Sequence, residues 1–74
     1  MNTRKTATHF KRWYTNELAH KIVVHHYTVV TEDGYTVYYT LDRARAAKHQ
    51  FDGTLFEILP LYETGFGAVV RERG

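Results

Sequence analysis

The segment His20–Leu61 constrains the fold more than any other part of the chain: HKIVVHHYTVVTEDGYTVYYTLDRARAAKHQFDGTLFEILPL. It opens with a β-branched and aromatic run over 21–31, a composition that favours a strand. Asp33-Gly34 follows this run and suits the two central positions of a type I′ turn. A second apolar run comes directly after the turn. These signals predict a β-hairpin over 21–40.

Both faces of this hairpin are partly apolar. With Asp33-Gly34 as the loop, Val30 faces Val37, and side chains alternate between the two faces along each strand. The opposite face carries the apolar side chains Tyr27, Val29 and Tyr38. We therefore expect the helix after the hairpin to cover one face, and either the segment Phe10–Leu18 or a partner to cover the face of Tyr27, Val29 and Tyr38.

A helix is predicted over 41–51, directly after Thr40, which is a good N-cap residue. One side of this helix is apolar at helical spacing and should pack on the sheet, through Leu41, Ala44, Ala47 and Phe51. Gly53 is placed to end the helix as a left-handed C-cap. Two further strands are predicted, over 54–59 and 68–72.

The N-terminal part of the chain is less regular. Residues 1–7 are polar and lack periodicity, so we predict a flexible arm. A short helix is predicted over 8–19 with Thr8 as its N-cap, and an edge strand is the alternative, because Trp, Tyr and Thr favour strands. The fold class is therefore α+β, a small antiparallel sheet with one helix packed on one face, in a single domain over 8–74.

Composition limits the classes of function. The 74 residues allow one domain, and the chain has no cysteine for a disulfide or a thiolate metal site. No apolar run is long enough to span a bilayer, so a cytoplasmic protein is expected. His25 and His26 point to opposite faces if they lie on a strand, so they cannot share a metal ion. We expect no metal and no cofactor.

Catalytic motifs are missing as well. The sequence contains no nucleophile elbow, P-loop or dinucleotide-binding motif, so an enzyme is not expected. Among the acidic residues, Glu57 lies between apolar residues of a predicted strand. It is the acid that we expect to be partly buried or to face a partner.

The chain carries more aromatic residues than one small core should need, with six Tyr, four Phe and one Trp. Exposed Tyr beside Arg is typical of the residues that dominate protein–protein interfaces. We therefore predict a non-enzymatic module that binds a larger protein and masks one of its surfaces. The predicted contact patch consists of Tyr35, Tyr38, Tyr39, Arg43 and Arg45. A sheet edge is also available to pair with a second copy of the chain as a homodimer.

Nucleic-acid binding is the alternative function. Cations and aromatic residues are interleaved near the N-terminus, and together such groups neutralise phosphates and stack on bases. The candidate residues for this alternative are Lys11, Arg12, Trp13 and Lys48. The formal charge of only +2 weighs against this function, as does the lack of a nucleic-acid-binding motif.

In its general features the chain resembles the small accessory proteins of bacteriophages, which include host-takeover factors and inhibitors of host defence. These features are its small single domain, its lack of cysteine, its mildly basic charge and its basic N-terminal tail. The resemblance implies a viral inhibitor that binds a host protein, and it assigns no functional residue.

Overall fold

The computed structural model describes the backbone of residues 3–74 and the side chains of residues 7–74. The strands form one antiparallel sheet in the order β2-β1-β3-β4, so β2 and β4 are its edges. The predicted α+β class is confirmed. Within residues 3–74, neither helix is long and apolar enough to cross a membrane. The elements in chain order are α1 (Thr3–Leu18), β1 (His26–Thr31), β2 (Gly34–Tyr38), α2 (Leu41–Phe51), β3 (Thr54–Pro60) and β4 (Ala68–Arg73).

The two helices pack on opposite faces of the sheet and bury two separate clusters. The cluster under α1 consists of Ala7, Phe10, Tyr14, Leu18, Val23, Val30, Phe56, Ile58, Ala68 and Val70. The cluster under α2 consists of Tyr27, Val29, Ala44, Ala47 and Leu55. The sheet is therefore the middle layer of three. The N-terminal segment does cover one face, but the predicted assignment of the faces is wrong. Tyr27 and Val29 lie under α2, and α1 covers the face of Val30 instead.

α1 is longer than predicted. It begins at Thr3 rather than at Thr8, so it takes in most of the residues assigned to the arm, and the edge-strand alternative is excluded. Ala7 is 3% exposed and extends the apolar side of the helix by one turn. The burial of this alanine explains the earlier start. The first two residues of the predicted arm lie outside the described residues.

α2 has the predicted bounds, and Thr40 is its N-cap, accepting a backbone hydrogen bond at 3.4 Å from the first turn. Phe51, which was predicted to pack on the sheet, is instead 56% exposed at the last residue of the helix. The predicted C-cap is wrong. Asp52, with φ 52°, adopts the left-handed conformation in place of Gly53. Gly53 is needed for another reason, because a Cβ there would lie 2.8 Å from both the Val29 Cγ1 and the Val30 carbonyl oxygen. The chain passes so close to β1 that no side chain fits.

β1 is shorter than the predicted strand. It begins at His26, so residues 21–25 leave the ladder and form a loop. Ile22 makes an isolated bridge with Phe66, and the backbone N–H of Val23 bonds to the same β3–β4 loop. The β3–β4 loop thus pairs with backbone groups that the prediction assigned to the hairpin.

The hairpin register is shifted by two residues from the predicted one. The loop is Glu32-Asp33, and Val30 pairs with Tyr35 rather than with the residue two positions later. The hydroxyl of Thr31 accepts a hydrogen bond from the Asp33 N–H at 3.2 Å, which stabilises a turn one residue earlier. Because side chains alternate with a period of two, this shift keeps each one on its predicted face.

Candidate protein-interaction groove

The two helices lie across the sheet in offset positions. α1 packs mainly against β4, whereas α2 packs mainly against β1. Each face of the sheet therefore keeps one edge strand largely uncovered: β2 on the α1 face and β4 on the α2 face. These two uncovered surfaces differ in chemistry.

The uncovered surface on the α1 face holds two shallow, mostly apolar cavities of about 310 and 220 Å³, whose linings touch where Tyr35 contacts Tyr14. Alternate side chains of β2 form its floor, and α1 and the 21–25 loop form its walls. We call it the α1–β2 groove and define it by Trp13, Ile22, Val24, Tyr35, Val37 and Tyr39. Ile22 is 71% exposed and Tyr39 is 70% exposed. Exposed apolar side chains gathered on one surface make it a candidate interaction site.

One end of the groove is a rigid aromatic cluster. The ring centroid of Tyr35 lies 5.2 Å from that of Phe10, 5.5 Å from Tyr14 and 6.0 Å from Trp13. Phe10 and Tyr14 are buried, whereas Trp13 and Tyr35 remain about half exposed. The buried rings hold the two exposed ones in place, so a partner could bury aromatic area at little cost in side-chain entropy.

Two hydrogen bonds of the buried His26 side chain hold the other end of the groove in place. His26 Nδ1 lies 2.7 Å from the carbonyl oxygen of Val24, and His26 Nε2 lies 3.1 Å from the Tyr14 hydroxyl. A carbonyl can only accept, so Nδ1–H donates to it, and in the neutral imidazole Nε2 then accepts from the tyrosine. The Tyr14 hydroxyl is protonated at neutral pH, as for any tyrosine, and burial raises its pKa further. These hydrogen bonds anchor the backbone at Val24, and the exposed side chain of Val24 lies in the groove.

The free edge of β2 runs beside the groove. β2 pairs on one side only, with β1, and none of its residues is charged or a proline. The other edge strand, β4, ends in Arg71-Glu72-Arg73. Charged side chains on an edge strand discourage pairing with a further strand. β2 is therefore the edge at which another strand can add.

The structure divides the predicted contact patch between the two faces of the sheet. Tyr35 and Tyr39 lie on the α1 face and belong to the groove, at opposite ends of β2. Tyr38 is half-buried against the cluster under α2. Arg43 and Arg45 are exposed on α2, the helix of the opposite face.

The residues of the nucleic-acid alternative are divided in the same way. Lys11, Arg12 and Trp13 are exposed neighbours on α1, but Lys48 lies on α2, across the sheet. The structure therefore brings together three of the four, and Trp13 is shared with the groove.

Three groove residues were not predicted as site residues: Ile22, Val24 and Val37. Ile22 and Val24 were missed because the prediction placed them inside a strand. One signal was available. The predicted strand over 21–31 is about twice the usual strand length of five or six residues. The excess length marks its first part as a loop, in which apolar side chains would be exposed.

The uncovered surface on the α2 face centres on Glu57, which is 5% exposed. Its Oε1 accepts hydrogen bonds from Arg71 Nη2 and Arg73 Nη1, both at 2.9 Å, and its Oε2 lies 2.9 Å from His25 Nε2. The hydrogen bond from Arg71, with those from His25 and Arg73, lowers the pKa of Glu57 to about 2. Glu57 is buried, as the sequence indicated.

The histidines are distributed as predicted. His25 contacts Glu57 on one face of the sheet, and His26 contacts Tyr14 on the other. Among the side chains of residues 7–74, no three His, Cys, Asp or Glu are grouped so that they could hold a metal ion.

Comparisons with models of known protein families, with curated proteins and with solved structures each found no match to this chain.

Proposed function

We propose that the chain is a non-enzymatic protein-binding module that masks a surface of a larger protein. The observation that carries this proposal is the uncharged free edge of β2 beside the apolar α1–β2 groove. The occupant is an extended segment of the partner that adds to β2 as a fifth strand. Backbone hydrogen bonds to β2 supply affinity, and the groove supplies selectivity.

The chemistry of the partner segment follows from the lining of the groove. Every second side chain of an added strand points to the α1 face, where Val37, Val24 and Tyr39 present apolar surface. The segment therefore carries alternating apolar residues. At the far end, its largest side chain packs on the exposed rings of Trp13 and Tyr35, which have the composition of an interface hot spot.

A non-enzymatic role is part of the proposal because the groove offers few free reactive groups. Of the polar side chains that line its cavities, Tyr14 and His26 are buried and bonded to each other, whereas His9, Lys21 and Glu32 are exposed and form no catalytic motif. A cytoplasmic, viral inhibitor of a host protein remains the biological setting that we propose, on the basis of the small cysteine-free chain.

The test uses a random library of unstructured twelve-residue peptides selected against the full chain. We expect the selected peptides to alternate apolar residues and to slow amide hydrogen exchange at Gly34–Tyr38. Tyr39→Lys should weaken their binding by about tenfold or more, as is usual for a hot-spot tyrosine. Tyr62→Lys is the matched control, because Tyr62 is 63% exposed and lies outside the groove.

Two other outcomes would overturn the proposal. One is binding that is insensitive to Tyr39→Lys and leaves exchange in β2 unchanged. The other is slowed exchange in β2 without any peptide, rising with protein concentration, which would identify a second copy of the chain as the occupant. Salt-sensitive binding of single-stranded DNA or RNA, lost on Lys11→Glu, would instead favour the nucleic-acid alternative.

A further inference from the structure

We propose that Arg71 and Arg73, with His25, form a binding site for a phosphate group on the α2 face of the sheet. This proposal is independent of the α1–β2 groove, which lies on the other face. The ligand is a tetrahedral phosphate, either free or carried on a side chain.

Geometry supports the site first. Arg71 and Arg73 are two residues apart on β4, so they share a face and their Cα atoms are separated by about 7 Å. Both guanidinium groups turn to the same carboxylate oxygen of Glu57, each at 2.9 Å. Each guanidinium has five N–H donors and uses one Nη in these contacts. The remaining donors of the two groups are therefore held close together, which is the arrangement that a phosphate takes.

Charge and access are the second argument. Two guanidinium groups surround one carboxylate, so the cluster keeps a net positive charge even with His25 neutral. The Arg71 side chain is 60% exposed and that of His25 is 48% exposed, whereas the Glu57 side chain is only 7% exposed. A ligand therefore meets cations at the surface, with the carboxylate beneath them.

The buried carboxylate has a positioning role. Arginine side chains lose considerable rotamer freedom when they are ordered, and here Glu57 has already ordered both of them. Ordering before binding reduces the entropic cost of capturing a ligand.

The test follows the side-chain Nε–Hε NMR signals of arginine in the full chain during titration with inorganic phosphate. Sodium chloride keeps the ionic strength constant. We expect saturable shifts at Arg71 and Arg73 and none at Arg45, an exposed arginine on α2. Arg71→Gln should weaken phosphate binding by about tenfold. Arg71→Lys should weaken it less, because lysine keeps the positive charge but lacks the paired N–H donors of a guanidinium group.

A second titration distinguishes the sources of the phosphate. A phosphoserine peptide that binds more tightly than inorganic phosphate, while its unphosphorylated form does not bind, identifies a modified protein as the ligand. Tighter binding of inorganic phosphate identifies the free ion. The proposal is overturned by shifts that do not saturate, by equal shifts at Arg45, or by unchanged phosphate binding in Arg71→Gln when the variant has a native spectrum.

Discussion

The Glu57 carboxylate joins the β3 and β4 strands to the loop before β1, and its protonation should weaken the fold. Its pKa falls from an ordinary 4.5 to about 2 in the folded chain, because Arg71, His25 and Arg73 bond to the charged form. Because the pKa of Glu57 is lower in the folded chain than in the unfolded chain, the unfolded chain binds more protons between about pH 2 and 4.5. The stability that Glu57 contributes is therefore complete above about pH 4.5 and is lost as the pH falls toward 2.

The variant Glu57→Gln tests this residue directly. We expect it to lower the free energy of unfolding at pH 7 by about 1–2 kcal/mol, a moderate value because the arginines that it releases can be solvated. Urea unfolding between pH 2.5 and 7 should show a smaller pH dependence in this variant. Glu72→Gln is the matched control, since Glu72 is exposed on the neighbouring strand. An unchanged pH dependence in Glu57→Gln would contradict the assignment.

The elements were predictable where local signals and packing agree. α2 has the predicted bounds because Thr40 caps it and its alanines fall on the side that packs against the sheet. The hairpin register was not predictable from Asp33-Gly34, because the packing of Tyr35 on Phe10 also depends on register. Such contacts join residues distant in sequence, which a turn motif does not report.

The connection between α2 and β3 should be the least tolerant of added volume. A Cβ on Gly53 would lie 2.8 Å from two atoms of β1, one of them a backbone carbonyl oxygen that cannot rotate away. We expect Gly53→Ala to reduce the free energy of unfolding by about 1–3 kcal/mol, measured by urea denaturation, because β1 must shift to accommodate it. Gly74→Ala, where a Cβ meets nothing within 4 Å, should have no effect. Equal stability of the two variants would rule out the close approach.

At the scale of the whole molecule, the offset of the helices determines which surfaces are available. The sequence indicated that one helix covers one face and that another segment or a partner covers the second. It could not indicate that α1 would lie over β4 and leave β2 open, because that position depends on how whole apolar faces pack. The groove thus joins Tyr35 and Tyr39, which were predicted, to Ile22 and Val24, which were not.

The two proposed sites occupy opposite faces of one sheet, so they should act independently. Tyr39→Lys is expected to weaken peptide binding while leaving phosphate affinity within about twofold, and Arg71→Gln should do the reverse, since distant substitutions that share no contacts are additive. Parallel titrations of both single variants and the double variant measure this. The double variant should lose peptide binding and phosphate binding to the same extent as the two single variants. The control double variant, Tyr62→Lys with Arg45→Gln, should lose neither. A loss of both activities in either single variant would mean that the faces are coupled through the sheet, and would contradict this division of the molecule.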